Sequence, residues 1–287
     1  MIVLRALGIG DLLVAVPALR GLHRTGDRVV LATPEWLSPL VDLTGCVAAV
    51  VHTPGLGALR WRESGVAVNL HGAGPESIAD LLATRPTRLI THRHEAFPEL
   101  PGPAWVEDQH EVHRWCGLLA WHGIPADPDE LGLLPPGVPS AAPGAVVVHP
   151  GASTQERRWG AARFAEVARE LAMGHRVVVT GSRAERAMAT EVARRAGLPE
   201  SAVLAGELGL TDLAALVADA ALVVCNDTGV GHLATAYGTP SVVLFGPTPP
   251  SRWGPPAGRE QHAALTTGTL TTGEVLAAAD GVRSARL

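Results

Sequence analysis

Short apolar runs rich in valine, leucine and isoleucine recur along this sequence, separated by longer stretches whose apolar residues follow helical spacing. Unbroken apolar runs are typical of strands that are buried on both faces of a parallel sheet. We predict strands at residues 1–4, 28–32, 66–70, 88–90, 145–148, 176–180, 221–225 and 241–245. Strands that alternate with helices form βαβ units, so the pattern predicts an α/β protein with parallel sheets.

The helices are predicted from apolar spacing and from residues that start or stop a helix. The stretch from Phe164 to Leu171 has apolar residues at i, i+3, i+4 and i+7, and Gly174 ends that helix. Pro17 falls inside the first predicted helix and should either kink it or mark a late first turn. Thr211 is expected to cap its helix. Helices are predicted at residues 12–22, 75–83, 111–121, 184–196, 212–218 and 274–279.

Residues 134–144 form the clearest linker, with four prolines and two glycines in that span. Such a composition is incompatible with a central strand or a helix. We therefore place a domain boundary in this segment and divide the chain into residues 1–142 and 143–287. Each part has the strand and helix alternation of a Rossmann-like domain.

The composition agrees with two globular domains. At 287 residues the chain exceeds one average domain, and its residues are 47% hydrophobic and 18% charged. A net charge of −5 without a basic cluster argues against a nucleic-acid partner. The N-terminus lacks the pattern of a signal peptide, and no apolar run is long enough to span a bilayer. We expect a cytoplasmic protein that can still touch a membrane surface.

The cysteines, the histidines and the basic residues limit the kinds of site that this chain can form. Cys46, Cys116 and Cys225 lie far apart in sequence, which favours reduced buried thiols over disulfides or a zinc site. The histidines are scattered without metal-ligand spacing, so no metal site is predicted. Lysine is absent, so any site that needs a cation must use arginine or histidine.

The segment from Asn226 to His232 follows a predicted strand and has the composition of a ligand-binding loop. It combines an acid, a hydroxyl and two glycines at the start of a helix. The glycines let a ligand approach the backbone, and the helix N-terminus attracts an anion. The alternative is that Asp227 and Thr228 only cap the helix. A similar Gly-rich loop with Asp11 follows the first strand.

Several segments resemble glycosyltransferase family 9, the ADP-heptose:lipopolysaccharide heptosyltransferases. The segments are residues 8–11 with 17–19, 149–154 with 157–159, 227–233 and 244–248, with weaker similarity at 69–72 and 110–114. The resemblance implies a GT-B fold, in which two Rossmann-like domains face a central cleft. Residues 1–142 would bind the acceptor and residues 143–287 the nucleotide sugar. It also implies transfer with inversion, no essential metal, and no cofactor besides the ADP-sugar co-substrate.

The resemblance assigns a set of donor-binding residues. Ser153 and Thr154 match a hydroxyl pair at the phosphates, and Arg157 stands where the family usually has a lysine. A guanidinium keeps that charge and can bind phosphate through two hydrogen bonds. The matched donor residues are Ser153, Thr154, Arg157, Arg158, Glu185, Leu208, Asp227, Thr228, Gly229 and His232.

Each of these matches has a structural alternative. The two arginines could be a solvated pair at a helix start. Glu185 matches a ribose-binding glutamate but could equally be a helix-start acid that the dipole favours. Leu208 matches a residue that packs on adenine, although a core leucine would look the same. His232 could reach the phosphates or be a hydrogen-bonded structural histidine.

Asp11 is the candidate general base, because the acceptor hydroxyl must lose a proton as it attacks and a carboxylate can take it. The family places its proposed base at this position. The alternative is that Asp11 is the N-cap of the first helix. Gly8, Gly10 and His71 are expected to complete the loop on the acceptor side.

The leading hypothesis is an inverting glycosyltransferase that moves a sugar, expected to be heptose, from an ADP-activated donor to an acceptor hydroxyl. The acceptor is expected to be a glycolipid or a small molecule. Two alternatives remain open: a family 9-like transferase that uses another nucleotide sugar and a soluble natural-product acceptor, or a GT-B-fold epimerase or hydrolase. A non-catalytic sugar-nucleotide binder would have no use for Asp11.

Overall fold

Both halves of the chain fold as α/β units with parallel sheets, which confirms the fold class predicted from the apolar pattern. The structure is a computed structural model that describes residues 1–63 and 65–285. The chain divides at the proline-rich segment into two units, Met1–Leu134 and Pro135–Leu287. No helix in these described ranges is long and apolar enough to cross a membrane.

The N-terminal unit is built on a five-stranded sheet. Its strands are β1 (Ile2–Leu4), β2 (Val30–Thr33), β3 (Ala49–His52), β4 (Val66–Asn69) and β5 (Arg88–Ile90), in the spatial order β3-β2-β1-β4-β5. Neighbouring strands are parallel, with Val3 opposite Leu31 and Val68. Its helices are α1 (Ile9–Val14), α2 (Val16–His23), α3 (Ser38–Thr44), α4 (Glu76–Leu82) and α5 (Glu111–Trp121).

The C-terminal unit repeats this architecture. Its strands are β6 (Val146–His149), β7 (Val177–Val179), β8 (Leu222–Asn226), β9 (Ser241–Phe245) and β10 (His262–Thr266), in the order β10-β9-β8-β6-β7. All pairs are again parallel. Its helices are α6 (Ala161–Ala172), α7 (Arg186–Ala196), α8 (Leu210–Ala218), α9 (Gly229–Tyr237), α10 (Pro250–Trp253) and α11 (Thr272–Ser284).

The central strands are buried on both faces, and this explains why their sequences are unbroken apolar runs. Every residue of β6, β8 and β9 is buried. In the C-terminal core, Val146 and Val224 pack with Phe164 of α6. In the N-terminal core, Ile2 of β1 packs with Ile78 of α4. All three cysteines are buried and free, as predicted.

The structure corrects three helix boundaries. The helix predicted at 12–22 is two helices, α1 and α2, with Pro17 in the first turn of α2, where its missing N–H has no helical partner to lose. Thr211 as a helix cap is wrong: Gly209 is the N-cap of α8, and the Asp212 carboxylate accepts from its N–H at 3.2 Å. The last helix is longer than predicted, because Thr271 caps α11 and it continues to Ser284.

Two strands and two helices escaped prediction: β3, β10, α3 and α10. Both strands lie at sheet edges, and their residues are mostly half-buried or exposed. An edge strand that buries little of its surface needs no continuous apolar run, so the pattern that identifies central strands does not detect it. Both α3 and α10 carry a proline in the first helical turn, where the missing N–H costs no helical hydrogen bond.

Candidate functional site

Most of the predicted site residues follow the strands at the topological switch point of a sheet, whereas Glu185 follows the edge strand β7 and Leu208 precedes α8. In the N-terminal unit the strand order reverses between β1 and β4, and in the C-terminal unit between β6 and β8. Ligands of open α/β sheets bind beyond the carboxyl ends of the strands at such points. Asp11 and His71 follow β1 and β4, whereas residues 150–158 and Asp227 follow β6 and β8. Each sheet thus brings together, within its own unit, residues that are far apart in sequence.

Residues 150–158 form a loop that a buried asparagine holds in place. Asn226 is 0% exposed at the end of β8, and its Nδ2 donates to the carbonyls of Pro150 at 2.8 Å and Gly151 at 3.2 Å. Its Oδ1 accepts from the backbone N–H of Trp159 at 3.1 Å. One side chain therefore satisfies backbone groups at both ends of the loop.

This loop carries the predicted phosphate-binding residues. Ser153 and Thr154 are exposed, and Thr154 precedes a 3-10 turn at Gln155–Arg157. Arg158 is used within the loop: it donates to the Gln155 side chain at 3.1 Å and to the carbonyl of Ala152 at 3.3 Å. Both residues are thus exposed to solvent, although the Thr154 side chain also hydrogen-bonds the Glu156 carboxylate. Arg158 stabilises the loop that carries them.

Arg157 and Asp227 form an ion pair across the switch point. Arg157 Nη1 lies 3.6 Å from Asp227 Oδ2, and the two side chains are 36% and 6% exposed. Burial raises the pKa of Asp227, while Arg157 and a hydrogen bond involving Thr248 oppose that rise. Because Arg157 is half-exposed, its guanidinium has donors left for an anion, and the buried carboxylate next to it suits a hydroxyl donor rather than a phosphate.

The N-terminus of α9 adds backbone donors at the same place. Thr228 is its N-cap residue by backbone conformation, but within the described part of the chain its side chain makes no capping hydrogen bond. Gly229 is the first residue of the helix, and His232 stands on its first turn, 6.1 Å from the ring of Trp253 in an edge-on contact. A helix start that no side chain caps can satisfy its N–H groups with an anion.

Glu185 caps the start of a helical turn, which is the structural alternative that the sequence left open. Its Oε2 accepts from the backbone N–H and the hydroxyl of Ser182, both at 2.8 Å, as in a capping box. Burial alone would raise the pKa of Glu185, but the bonds from Ser182 lower it. The carboxylate packs on Gly151, where a Cβ would lie 2.3 Å from Oε1, so only glycine permits this approach. Leu208 is half-buried in the loop before α8 and lies outside the main apolar core.

Asp11 is not the N-cap of α1, which is Gly8, although its carboxylate does cap the helix. Asp11 is the third helical residue, Gly10 the second, and Asp11 Oδ2 accepts from the Gly8 N–H at 3.2 Å. Its other oxygen, Oδ1, lies 3.3 Å from the guanidinium of Arg5. The Asp11 side chain is 28% exposed, so one edge of the carboxylate remains open to a proton donor.

His71 is half-buried beside this loop with a defined tautomer. Its Nδ1 accepts from the Ala6 N–H at 3.2 Å, so the ring proton of neutral His71 lies on Nε2. Burial and the charge of Arg5 lower the pKa of His71, which favours the neutral ring. The backbone N–H of His71 donates to Asn69 Oδ1 at 3.1 Å. The ring thus offers a neutral N–H donor at the end of β4.

Arg5 and Trp253 contribute to these sites but were not predicted from the sequence. Asn226 lies in the predicted loop segment, but its role as a buried anchor was not predicted. Arg5 directly follows the apolar strand β1, and Asn226 is the last residue of the apolar strand β8. A polar residue at the end of such a strand is a weak signal of a buried anchor at the carboxyl edge of a sheet. Trp253 gives no such signal, because it reaches His232 only through the fold. Among residues 1–63 and 65–285, no group of three His, Cys, Asp or Glu side chains could hold a metal ion.

Comparison with known proteins identifies the family. The model of glycosyltransferase family 9 (heptosyltransferase) matches residues 107–274, which is more than half of the chain. Lipopolysaccharide heptosyltransferase 1 of Pseudomonas aeruginosa is 37% identical over 155 residues, which cover 51% of this chain and 42% of the relative. The match therefore spans less than half the length of that curated relative.

Solved structures match over nearly the whole chain. A family 9 glycosyl transferase from Veillonella parvula has a TM-score of 0.81 at 17% identity, covering 99% of this chain and 96% of that chain. The Escherichia coli ADP-heptose lipopolysaccharide heptosyltransferase II has a TM-score of 0.77 at 18% identity, covering 99% and 98%. These likenesses show that the fold of each unit, including the N-terminal one outside most of the family match, is that of the solved family 9 structures.

Proposed function

The chain belongs to glycosyltransferase family 9, the heptosyltransferase family, and we propose that it transfers a heptose from ADP-heptose to a sugar hydroxyl of a glycolipid acceptor, with inversion. The observation that carries this proposal is the Arg157–Asp227 pair, which lies beside the helix start of α9 at the β6/β8 switch point. Arg157 and the N–H groups at the start of α9 can bind a diphosphate, and the Asp227 carboxylate can accept from a sugar hydroxyl.

In this proposal residues 143–287 bind the donor. Arg157, the hydroxyls of Ser153 and Thr154, and the N–H groups of Gly229 and its neighbours contact the diphosphate. Asp227 accepts hydrogen bonds from the sugar. Glu185 accepts from the ribose with lone pairs that Ser182 leaves unused, and Leu208 packs on the adenine.

Three further donor residues support these contacts. Arg158 keeps the phosphate loop in shape through its bonds to Gln155 and Ala152. Thr228 sets the backbone at the start of α9, with its hydroxyl buried there, and His232 extends the site toward Trp253.

Residues 1–142 bind the acceptor in this proposal, with Asp11 as the general base. The acceptor oxygen attacks the anomeric carbon as the carbon–oxygen bond to the diphosphate breaks, and attack opposite the leaving group inverts the configuration. The acceptor proton passes to the Asp11 carboxylate, and ADP leaves with the bonding electrons. Gly8 and Gly10 keep the backbone open at this point, and His71 offers its Nε2–H to an acceptor hydroxyl.

The leaving diphosphate must be stabilised as its negative charge grows. We propose that Arg157 and the N-terminus of α9 do this without a divalent metal, since preorganised cations and N–H dipoles act strongly where water is excluded. Names of curated relatives support the transferred sugar and the acceptor class, because these relatives are lipopolysaccharide or lipooligosaccharide heptosyltransferases. The name of one structurally similar enzyme includes ADP-heptose, which supports that donor. The soluble natural-product acceptor and the epimerase or hydrolase gain no support from these names.

The experiment is a thermal-shift panel of ADP-, GDP-, UDP- and dTDP-sugars, followed by a transfer assay with the stabilising donor and a glycolipid acceptor. A ligand present at 100 times its Kd stabilises the fold by about 2.7 kcal/mol, so a selective shift by ADP-heptose is expected. The Arg157→Ala variant should lose half or more of that shift. Stabilisation by another nucleotide sugar alone, or hydrolysis without transfer, would refute the proposed reaction.

A further inference from the structure

A single buried guanidinium organises the acceptor side of the N-terminal unit. Arg5 is 1% exposed at the end of β1. Its Nε donates to the backbone carbonyl of Asp11 at 2.8 Å, and its Nη2 lies 3.3 Å from the Asp11 carboxylate. Its Nη1 donates to the carbonyl of Leu70, at the end of β4. Arg5 therefore joins both sides of the β1/β4 switch point.

We propose that Arg5 is a positioning residue for proton transfer, which holds the Asp11 carboxylate in the orientation needed to take the acceptor proton. This inference rests on the proposed function, in which Asp11 is the base. Arg5 itself is too deeply buried to touch the substrate, so it acts through Asp11.

The contacts of Asp11 explain why such an anchor is required. One carboxylate oxygen is fixed by the Gly8 N–H and the other by Arg5. Without the guanidinium, the side chain keeps only the bond to Gly8 and can rotate away from the open edge of the site. A base misplaced by about 1 Å can cost roughly 10²-fold in rate.

The surroundings of Arg5 require an arginine rather than another cation. Three donors of one planar group reach three acceptors in different directions, and a lysine ammonium has no such fixed fork. The guanidinium carbon also lies 4.8 Å from the ring centroid of Trp115, which supports the face of the group. Burial lowers the pKa of Arg5, and the charge of Asp11 is the largest opposing influence.

The same segment fixes the neighbouring loop. Arg5 contacts Leu70, and the next residue, Ala6, donates to Nδ1 of His71. Residues 5 and 6 thus set the positions of both Asp11 and His71, the two side chains that face the acceptor in the proposed function. Loss of Arg5 should disturb their mutual arrangement while the donor site, in the other unit, stays intact.

The test compares Arg5→Met, Arg5→Lys, Asp11→Asn and the double variant Arg5→Met/Asp11→Asn. Arg20→Met is the matched control, because Arg20 also donates to backbone carbonyls of this unit, those of Glu130 and Gly132, but contacts no catalytic candidate. Turnover with the ADP-sugar donor, donor KM, ADP affinity and melting temperature are measured for each.

Arg5→Met is expected to lower kcat about 10²-fold, with donor KM and ADP affinity unchanged. Arg5→Lys should recover part of kcat, and Arg20→Met should lose stability but keep kcat. In the Asp11→Asn background, Arg5→Met should cost little further turnover, because a positioning residue has nothing left to position. If Arg5→Met does not fold, a reduced kcat of Arg5→Lys with unchanged donor KM would support the positioning role of Arg5 in its place.

Three results would overturn the inference. If Asp11→Asn abolishes turnover but Arg5→Met and Arg5→Lys keep it, Arg5 has no positioning role and the proposed function stands. If the two losses multiply in the double variant, Arg5 acts independently of Asp11. If Asp11→Asn turns over normally, the proposed base is wrong, and the role of Arg5 fails with it.

Discussion

The substitution Asn226→Asp tests whether one buried side chain holds the proposed donor loop. It keeps the size and Oδ1 but replaces an Nδ2 that donates to the carbonyls of Pro150 and Gly151 at 2.8 and 3.2 Å. Leaving a buried acceptor without its partner costs about 1–3 kcal/mol. Two lost bonds should therefore lower the free energy of unfolding by about 2–4 kcal/mol, after some relaxation of the loop.

Two measurements follow. The melting temperature should fall by roughly 5–15 °C, because 1 kcal/mol corresponds to about 2–4 °C in a unit of this size. The ADP affinity measured by calorimetry should fall about 10- to 100-fold, because the displaced loop carries Ser153, Thr154 and Arg157, and one hydrogen bond to a charged group contributes about 1.5–3 kcal/mol.

The pH dependence of this variant gives a separate signature. Burial and two facing carbonyls should raise the pKa of the introduced carboxyl above its unfolded value. When the pKa of a carboxyl is higher in the folded state than in the unfolded state, its protonated form stabilises the fold. That stability is fully present at pH values below the pKa of the unfolded state and is lost as pH rises through the pKa of the folded state. The deficit in melting temperature relative to wild type should therefore shrink at acidic pH, where the protonated carboxyl can donate to one carbonyl.

Asn69→Asp is the matched control, since Asn69 is the buried asparagine at the end of β4 in the other unit. Its Nδ2 donates to Gly72, Ser77 and Thr91, each at 3.1 Å. This variant should also lose stability, yet bind ADP like the wild type. Unchanged melting temperature and ADP affinity in Asn226→Asp, or an equal loss of affinity in both variants, would refute the anchoring role.

Three further predictions concern the reaction. Asp11→Asn should lower turnover about 10²–10⁴-fold at unchanged ADP affinity, and its melting temperature should also fall because buried Arg5 loses its anion; normal turnover would exclude Asp11 as the base. Arg157→Ala should weaken ADP binding by about 1.5–3 kcal/mol in calorimetry, whereas Arg163→Ala, on the exposed side of α6, should not; equal affinities would exclude the phosphate role. Turnover in excess EDTA should equal turnover in magnesium, and activity lost on chelation and restored by metal would contradict the proposed stabilisation of the diphosphate.

The pattern of apolar residues was sufficient to locate the central strands of both sheets. Unbroken runs such as 145–148 and 221–225 identified the central strands, because a strand covered by helices on both faces must be apolar at every position. The edge strands β3 and β10 escaped for the converse reason. Helix starts were misplaced at Thr211 and Asp11, because the residue that caps by backbone position was a glycine in both cases, with an aspartate three residues later as its partner.

The sequence by itself determined the α/β class, the division into two Rossmann-like halves and the segments that carry the candidate chemistry, because these depend on periodicity and on motifs that are local in the chain. Only the tertiary structure decided which groups meet. Asn226 reaches Pro150 and Arg157 reaches Asp227 across some seventy residues of sequence, and Arg5 joins Asp11 to Leu70. Parallel strands gather their carboxyl ends at one edge of a sheet, and strand order, which no local pattern encodes, selects the neighbours there.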